Sequence, residues 1–121
     1  MVKALFDTNI LIDFLNAVPQ AREEMARYEE KAISIVTWME VMIGADAEVE
    51  ARTRDFLGTF EVVPLANDVA ERAVGLRRAH NIKLPDAIVW ASADIHSMLL
   101  VTRNTKDFSK DAPGIRLPYT L

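Results

Sequence analysis

The sequence predicts an α/β fold, a three-layer α/β/α sandwich in which helices cover both faces of a central parallel sheet of four or five strands. Short apolar runs of strand length alternate along the whole chain with longer segments of helical periodicity. Capping residues, prolines and glycines separate these segments. Because no repeat, low-complexity stretch or linker interrupts the alternation, residues 1–121 are expected to form one domain.

Composition limits the class of protein. The 121 residues can bury one core, and 50% hydrophobic with 26% charged residues is typical of a globular domain. The absence of cysteine excludes disulfides, thiolate zinc sites and cysteine nucleophiles, and it fits a reducing cytoplasm. We expect neither a signal peptide nor a membrane span, since no apolar stretch suits either. The net charge of −4 argues against a protein that coats nucleic acid, but a nuclease with metal-binding carboxylates would carry such charge.

The chain begins with a strand and two helices in this prediction. Residues 2–6 are mostly apolar and predict a buried strand. Asp7-Thr8-Asn9 closes the strand with three capping residue types, and the apolar pattern of residues 10–15 predicts a helix. Pro19 opens a second helix, which runs from residue 20 to about residue 30 and carries a solvated, charged face.

The middle of the chain continues the alternation. Residues 32–36 predict the second strand. Thr37, with Glu40 three residues later and ahead of an apolar run, predicts a capping box at the start of the next helix. A further helix covers roughly residues 48–59, and residues 60–65 predict a third strand that stops at or before its proline.

Two helices precede the last strands. Asn67 is expected to cap a helix that ends near His80. Pro85 suits the first position of the next helix, and Asp86 then lies in the first turn, where the helix dipole is positive. Because the following residues are almost wholly apolar, this helix is expected to be buried. The remaining elements are a fourth strand, a polar loop and a short edge strand, at residues 98–102, 103–108 and 115–117.

Acidic side chains follow the predicted strands at the edge where parallel sheets bind ligands. Asp7 directly follows the first strand, and Glu40 lies in the first turn of the helix after the second strand. Asp107 lies in the loop after the fourth strand, with Asn104 nearby. Asp86 reaches this edge only if the loop before its helix returns there, which the alternation alone does not decide.

Each acid also has a purely structural interpretation, as a helix cap, a dipole partner or a turn residue. Both histidines lie where a structural role suffices. However, four carboxylates that converge at one edge repel one another by several kcal/mol unless a cation lies between them. Oxygen-only ligands select a hard ion such as Mg²⁺ or Mn²⁺, and such a site suits phosphodiester hydrolysis.

With these acids in place, the sequence resembles the PIN-domain family and, within it, the VapC-type toxins of toxin–antitoxin pairs. The resemblance covers essentially the whole chain and rests on four stretches in a fixed order: residues 6–13, 37–44, 84–93 and 99–108. It implies a Mg²⁺- or Mn²⁺-dependent endoribonuclease of the cytoplasm. It also implies a homodimer and a small antitoxin protein that inhibits the enzyme.

The resemblance assigns roles residue by residue. The acidic catalytic residues would be Asp7, Glu40, Asp86 and Asp107. Asp7 and Asp86 would be the direct metal ligands, and Glu40 would hold a water on the metal or act as its base. A second set would orient ligands and water, namely Asn9, Thr102 and Asn104. Many relatives carry Asp where Asn104 stands, so Asp107 or Asn104 fills the fourth position, and we favour Asp107.

Contacts with RNA and with a second copy are less defined. Three basic residues follow the fourth strand and are expected to hold phosphates beside the cut, unless they only solvate the loop: Arg103, Lys106 and Lys110. Four apolar residues of the early helices belong either to the core, which we expect for most of them, or to a dimer interface: Phe14, Leu15, Met42 and Ile43.

Two other classes compete with a nuclease. A PIN-like module that binds RNA or protein without cutting would be expected to lack a core carboxylate, and Asp7, Glu40 and Asp86 are all present. A receiver-type signalling domain would need an acidic pair after the first strand and an Asp at the end of the third. The first strand is followed by one Asp, and the third runs into Val63-Pro64.

Overall fold

The computed structural model describes residues 2–109 and 111–121. In this part of the chain five short strands alternate with six helices. The strands are β1 (Ala4–Phe6), β2 (Lys31–Ser34), β3 (Glu61–Val63), β4 (Leu99–Val101) and β5 (Ile115–Arg116). The helices are α1 (Thr8–Leu15), α2 (Pro19–Ala26), α3 (Ile35–Gly44), α4 (Glu50–Leu57), α5 (Asn67–His80) and α6 (Leu84–Ile95). None of these helices is long and apolar enough to cross a membrane.

The strands form one parallel sheet in the order β3-β2-β1-β4-β5. The central strand β1 pairs with β4 through Phe6 and Val101 and with β2 through Leu5 and Ala32. Because all strands are parallel, their carboxyl ends meet at one edge, and Asp7 extends β1 there by donating its N–H to the carbonyl of Val101 at 2.9 Å. The predicted parallel sheet, including the short edge strand, is confirmed.

Side chains of the strands point alternately into two separate cores. Leu5 packs with α5 and α6 on one face of the sheet, whereas Ala4 and Phe6 pack with α1, α2 and α4 on the other. Both cores contain fully buried residues, including Leu5 and Phe6. The predicted three-layer sandwich is therefore confirmed, and the buried strands are apolar because neither face meets water.

The capping box predicted at Thr37 and Glu40 is wrong. Helix α3 begins at Ile35, and the hydroxyl of Ser34 caps it by accepting the N–H of Val36 at 3.1 Å. Thr37 is consequently buried inside the helix. The apolar residues Ile35 and Val36 suit a strand or a buried helix equally, which is why their pattern extended the strand too far.

The predicted cap at Asn67 is also wrong. Ala66 occupies the capping position of α5 without a side-chain bond, and Asn67 is the first helical residue. Helices α2 and α4 and strand β3 are shorter than predicted. Propensity locates such elements better than it locates their ends.

Helices α5 and α6 form an antiparallel pair that decides where Asp86 lies. Arg72, early in α5, forms an ion pair with Asp94, late in α6, at 2.6 Å. At the opposite end the His80 ring packs against Trp90, with centroids 4.7 Å apart. Since α6 leads into the amino end of β4, its own first turn lies at the carboxyl edge of the sheet. The left-handed residue Asn81, with φ of 52°, ends α5 and allows the tight return.

Candidate active site

Asp7 lies at the centre of the carboxyl edge and is 5% exposed. One carboxylate oxygen caps α1 by accepting the N–H of Thr8 at 2.8 Å. The other accepts the Thr102 hydroxyl at 2.8 Å and lies 3.4 Å from the Asn9 amide nitrogen. Burial raises the pKa of Asp7, the bonds from Thr102 and Thr8 partly offset this, and the charge of Glu40 raises the pKa further. Asp7 is thus both a helix cap and part of an acidic group.

Glu40 is held beside this group from α3. The Thr8 hydroxyl lies 2.7 Å from Oε1 of Glu40 and 3.0 Å from the hydroxyl of Thr37. Glu40 is exposed, so one carboxylate oxygen is fixed while the side chain still meets solvent. Since Thr37 and Glu40 are three residues apart on one face of α3, Thr8 contacts both.

Asp86 and Asp107 form a second carboxyl pair at the same edge. The pKa of half-buried Asp86 is raised to about 7, and burial is the largest cause. A hydrogen bond to Asp107 and the negative charges of Asp7, Asp107 and Glu40 raise it further. The amide of Asn104 donates to Asp107 at 3.1 Å and holds the pKa of Asp107 below its ordinary value. The pKa values of the two carboxyls are thus shifted in opposite directions, and Asp86 lies near enough to Asp7, Glu40 and Asp107 to respond to the charge of each.

Three polar residues connect the ends of β1 and β4. The amide of Asn9 lies 3.4 Å from the Thr102 hydroxyl, and its carbonyl oxygen accepts the N–H of Arg103 at 3.1 Å. The Thr102 hydroxyl also accepts the N–H of Asn104 at 3.1 Å. Asn104 in turn accepts the N–H of Asp107 at 3.2 Å. The network continues from Asp7 to Asp107 without a break.

The basic residues after β4 lie in three different situations. The guanidinium of Arg103 binds both carboxylate oxygens of Asp13, at 2.7 and 3.0 Å, so two of its nitrogens are engaged within the protein. This ion pair competes with the phosphate contact expected from the sequence. Lys106 is exposed, and its charge lowers the pKa of Asp107 after the larger effect of Asn104. Lys110 lies outside the residues that the structure describes.

Sequence reasoning missed two contributors to this edge. Thr8 fixes Glu40, and Lys83, at the cap of α6, lies close enough to Asp107 to lower its pKa alongside Asn104 and Lys106. The position of Lys83 three residues before Asp86 was the available signal. The position of Thr8 next to Asp7 was a signal too, but its partner lies 32 residues away.

The donor set fits a hard divalent cation. All four acids offer oxygen, and their mutual repulsion is the cause of part of the rise in the pKa of Asp86. Within residues 2–109 and 111–121, no three His, Asp or Glu side chains converge tightly enough to hold an ion by themselves. Mg²⁺ usually binds through one or two carboxylates and keeps several waters, so an edge with fewer than three converging acids still suits it.

The fold and this edge define a class, that of α/β proteins with an acidic cleft beyond the carboxyl ends of a parallel sheet. Residues 4–112 match the family model described as PIN domain. The chain therefore belongs to the PIN domain family, and the resemblance inferred from its four acidic stretches is confirmed.

Individual relatives agree with this assignment. Ribonuclease VapC10 of Mycobacterium tuberculosis is 31% identical over 112 residues, which cover 86% of this chain and 84% of that protein. A toxin–antitoxin complex from Klebsiella pneumoniae contains a chain that is 47% identical, with a TM-score of 0.94 over 98% of this chain and 100% of that one. The DNA-bound VapBC from Salmonella typhimurium is 24% identical, with a TM-score of 0.76 over 96% of each chain, and shows the shared fold.

Proposed function

We propose that this chain is a metal-dependent endoribonuclease toxin that hydrolyses phosphodiester bonds in RNA and is neutralised by a cognate small antitoxin. One observation carries the proposal, namely that acidic side chains gather beyond the carboxyl ends of β1 and β4, where Thr8 contacts both Asp7 and Glu40 and Asn104 holds Asp107. Burial, a hydrogen bond to Asp107 and the charges of the other acids raise the pKa of Asp86 at the same edge to about 7. The name of the ribonuclease from Mycobacterium tuberculosis and the toxin–antitoxin complex from Klebsiella pneumoniae support it.

The residues divide into ligands, a water-positioning group and supports. Asp7 and Asp86 would hold Mg²⁺ or Mn²⁺, which supplies Lewis-acid stabilisation of the phosphate when bound. Glu40, exposed and fixed through one oxygen, would orient the attacking water and accept its proton. Asp107 is the fourth acid in this proposal, and Asn104 supports it through two hydrogen bonds.

Two further residues support the ligand Asp7. Thr102 donates its hydroxyl to the carboxylate, and Asn9 connects the same carboxylate to the loop after β4. Residues that orient a ligand in this way tune metal affinity and are needed for full activity.

Phosphate contacts would come from exposed cations at the same edge. Lys106 keeps the role expected from the sequence, and Lys83 joins it because both charges act on Asp107. Arg77 and Arg78, exposed in the last turn of α5, lie at the end of the helix pair that contains Asp86. Lys110 remains a prediction for this group.

The antitoxin would cover a groove that begins at Glu40. A cavity of about 530 Å³ lies between α1, α3 and α4, and its lining includes Glu40 and the apolar Ile12, Leu15 and Val41. Ile12 and Leu15 are 43% and 45% exposed, so an apolar segment of a partner would bury them. A partner placed there also reaches the acidic edge, which would explain neutralisation.

Of the four early apolar residues, Phe14 and Met42 pack against the core, whereas Leu15 and Ile43 are 45% and 83% exposed, so the core holds two of them rather than most. We assign Ile43 to an interface of the homodimer.

We also propose that the protein acts in the cytoplasm and that residues 1–121 form a single domain.

The decisive experiment compares wild type with Asp7→Asn on a random-sequence, fluorophore–quencher-labelled single-stranded RNA in the presence of MnCl₂ or MgCl₂. We expect metal-dependent cleavage by wild type and none by the variant. Cleavage at the wild-type rate by Asp7→Asn would contradict the assignment of Asp7. A wild type that binds the RNA without cutting it would favour the other candidate, a non-catalytic PIN-like binding module.

A further inference from the structure

Two buried carboxylates on the α1–α2 side of the sheet are bound in the same manner. Asp13, on α1, receives both guanidinium nitrogens of Arg103 and the hydroxyl of Tyr119 at 2.8 Å. Glu24, on α2, receives the guanidinium of Arg116 at 2.5 and 2.9 Å and the hydroxyl of Tyr28 at 2.9 Å. We call these the Asp13 cluster (Asp13, Arg103, Tyr119) and the Glu24 cluster (Glu24, Arg116, Tyr28).

The two clusters differ in what else they contact. In the Asp13 cluster the main-chain N–H of Arg103 donates to Asn9, whose amide lies beside Asp7. Within the described residues, no side chain of the Glu24 cluster hydrogen-bonds to Asn9, Thr102, Asn104 or any of the four acids. The main-chain carbonyl of Arg116 does accept the N–H of Thr102 at 3.1 Å, as part of the pairing of β4 with β5. Because a change of the Arg116 side chain leaves this main-chain bond in place, the Glu24 cluster serves as a control for the loss of a buried ion pair.

Arg103 connects α1 to the loop after β4 at two points. Asn9 and Asp13 are four residues apart and lie one turn apart on the same face of α1. Arg103 binds the first through its main chain and the second through its side chain. Since Arg103 lies between Thr102 and Asn104, this double attachment fixes both the donor to Asp7 and the support of Asp107.

We propose that Asp13, Arg103 and Tyr119 are positioning residues for the endoribonuclease activity, which hold the loop carrying Thr102, Asn104 and Asp107 in register with Asp7. This inference rests on the proposed function. None of the three would touch RNA or metal. Their effect reaches the acidic edge through Asn9 and through the main chain of residues 102–107.

Burial explains why the attachment is rigid. The Asp13 side chain is 7% exposed and that of Arg103 is 32% exposed, so two parallel charge-assisted bonds form largely away from water. The two bonds also fix the orientation of the planar guanidinium, which a lysine would not do. The loop therefore has one preferred position relative to α1.

The test compares Arg103→Gln with Arg116→Gln on the labelled single-stranded RNA with MnCl₂. Both variants are expected to melt at a lower temperature, because each leaves a buried carboxylate without its guanidinium. Only Arg103→Gln is expected to lower kcat, by up to the order of 100-fold, the loss that follows a displacement of about 1 Å at an active site. Its KM should stay within about twofold of wild type, since no RNA contact is lost.

A milder pair keeps the proposal testable if Arg103→Gln does not fold. Tyr119→Phe and Tyr28→Phe each remove one hydroxyl from a cluster and retain the ring and the ion pair. We expect Tyr119→Phe to lower kcat several-fold and Tyr28→Phe to leave it unchanged. Equal kcat losses in the two members of a pair, or no loss in Tyr119→Phe, would overturn the proposal.

Amide hydrogen exchange separates this inference from the proposed function. The amides of residues 103–107 should exchange faster in Arg103→Gln than in Arg116→Gln, with or without RNA cleavage. If wild type cuts no RNA and amide exchange still differs between the two variants, the proposed function is refuted and the positioning of the loop is retained. Equal exchange in the two variants would refute the positioning itself.

Discussion

The Thr8 hydroxyl lies 2.7 Å from Oε1 of Glu40, across 32 residues of sequence. Thr8 is the first residue of α1, and Glu40 lies in α3, after the second strand. The same Thr8 donates its main-chain N–H to Asp7. One residue therefore contacts two of the four acids and fixes Glu40 relative to Asp7.

Replacing Thr8 by valine should lower the rate of RNA cleavage. Valine keeps the shape and the main-chain bond to Asp7 but removes the hydroxyl that fixes Glu40. We expect kcat to fall by about tenfold, less than the roughly 10²–10⁴-fold that a positioned general base contributes, because Glu40 itself is retained. Thr8→Ser retains the hydroxyl and should be close to wild type, and a Thr8→Val variant that cuts at full rate would show that Glu40 needs no such partner.

Addition of MgCl₂ or MnCl₂ should raise the melting temperature of wild type. An ion that binds only the folded state stabilises it by about 2.7 kcal/mol when the free ion is at 100 times its Kd. Asp86→Asn removes one proposed ligand and should remove most of this shift. Glu61→Gln, which alters an exposed acid at the surface, is the control, and equal shifts in all three proteins would contradict the metal site.

Lys83→Gln should weaken the binding of RNA without altering the fold. Lys83 is exposed and lies near Asp107, so its loss would remove one proposed phosphate contact and leave the core unchanged. We expect KM for single-stranded RNA to rise by about fivefold and the salt dependence of log KM to fall by about 0.7. Arg22→Gln, an exposed change on α2, should leave both quantities as in wild type.

The Glu24 cluster should make the protein sensitive to acid. Burial by itself raises the pKa of Glu24, but the bonds from Arg116 and Tyr28 outweigh it and hold the pKa below its ordinary value. A depressed pKa means that the stabilisation is complete above the unfolded value of about 4.3 and is lost as the pH falls through the folded value.

Urea unfolding of wild type and Glu24→Gln at several pH values measures this contribution. At pH 7 the variant should be less stable by about 2 kcal/mol, the usual effect of losing a charged hydrogen bond. The gap should narrow as the pH falls below about 4.3, because the unfolded chain then takes up a proton at Glu24 that the folded chain binds only at lower pH. A constant gap from pH 7 to pH 3 would exclude ionisation of Glu24 as the source.

The sequence predicted most of the fold because apolar residues recur with the spacing of a strand or of a helix in most of its elements. Residues 4–6 are apolar without alternation, as the central strand of a covered sheet requires, and Pro85 marks the start of α6. The end of β2 was less predictable. Ile35 and Val36 suit either element, and the cap that decides between them is Ser34, one of several polar residues that could serve.

Some positions in the candidate site could likewise be predicted from the sequence, and others could not. Asp7, Glu40 and Asp107 were assigned to one edge because each follows a strand, and carboxyl ends of parallel strands lie together. The position of Asp86 depended on the direction of α6, which the antiparallel packing of α5 and α6 decides through Arg72–Asp94 and His80–Trp90. The partner of Arg103 was not predictable, since nothing local connects it to Asp13 across 90 residues.

By itself, the order of residues determined which side chains follow which strands, because hydrophobic periodicity and the capping and turn residues that end each element are local properties of the chain. Only the tertiary structure decided how those side chains pair. Thr8 with Glu40 and Arg103 with Asp13 are joined across 32 and 90 residues. The physical reason is that a hydrogen bond acts over about 3 Å, and only packing of the two cores brings such distant groups within that range.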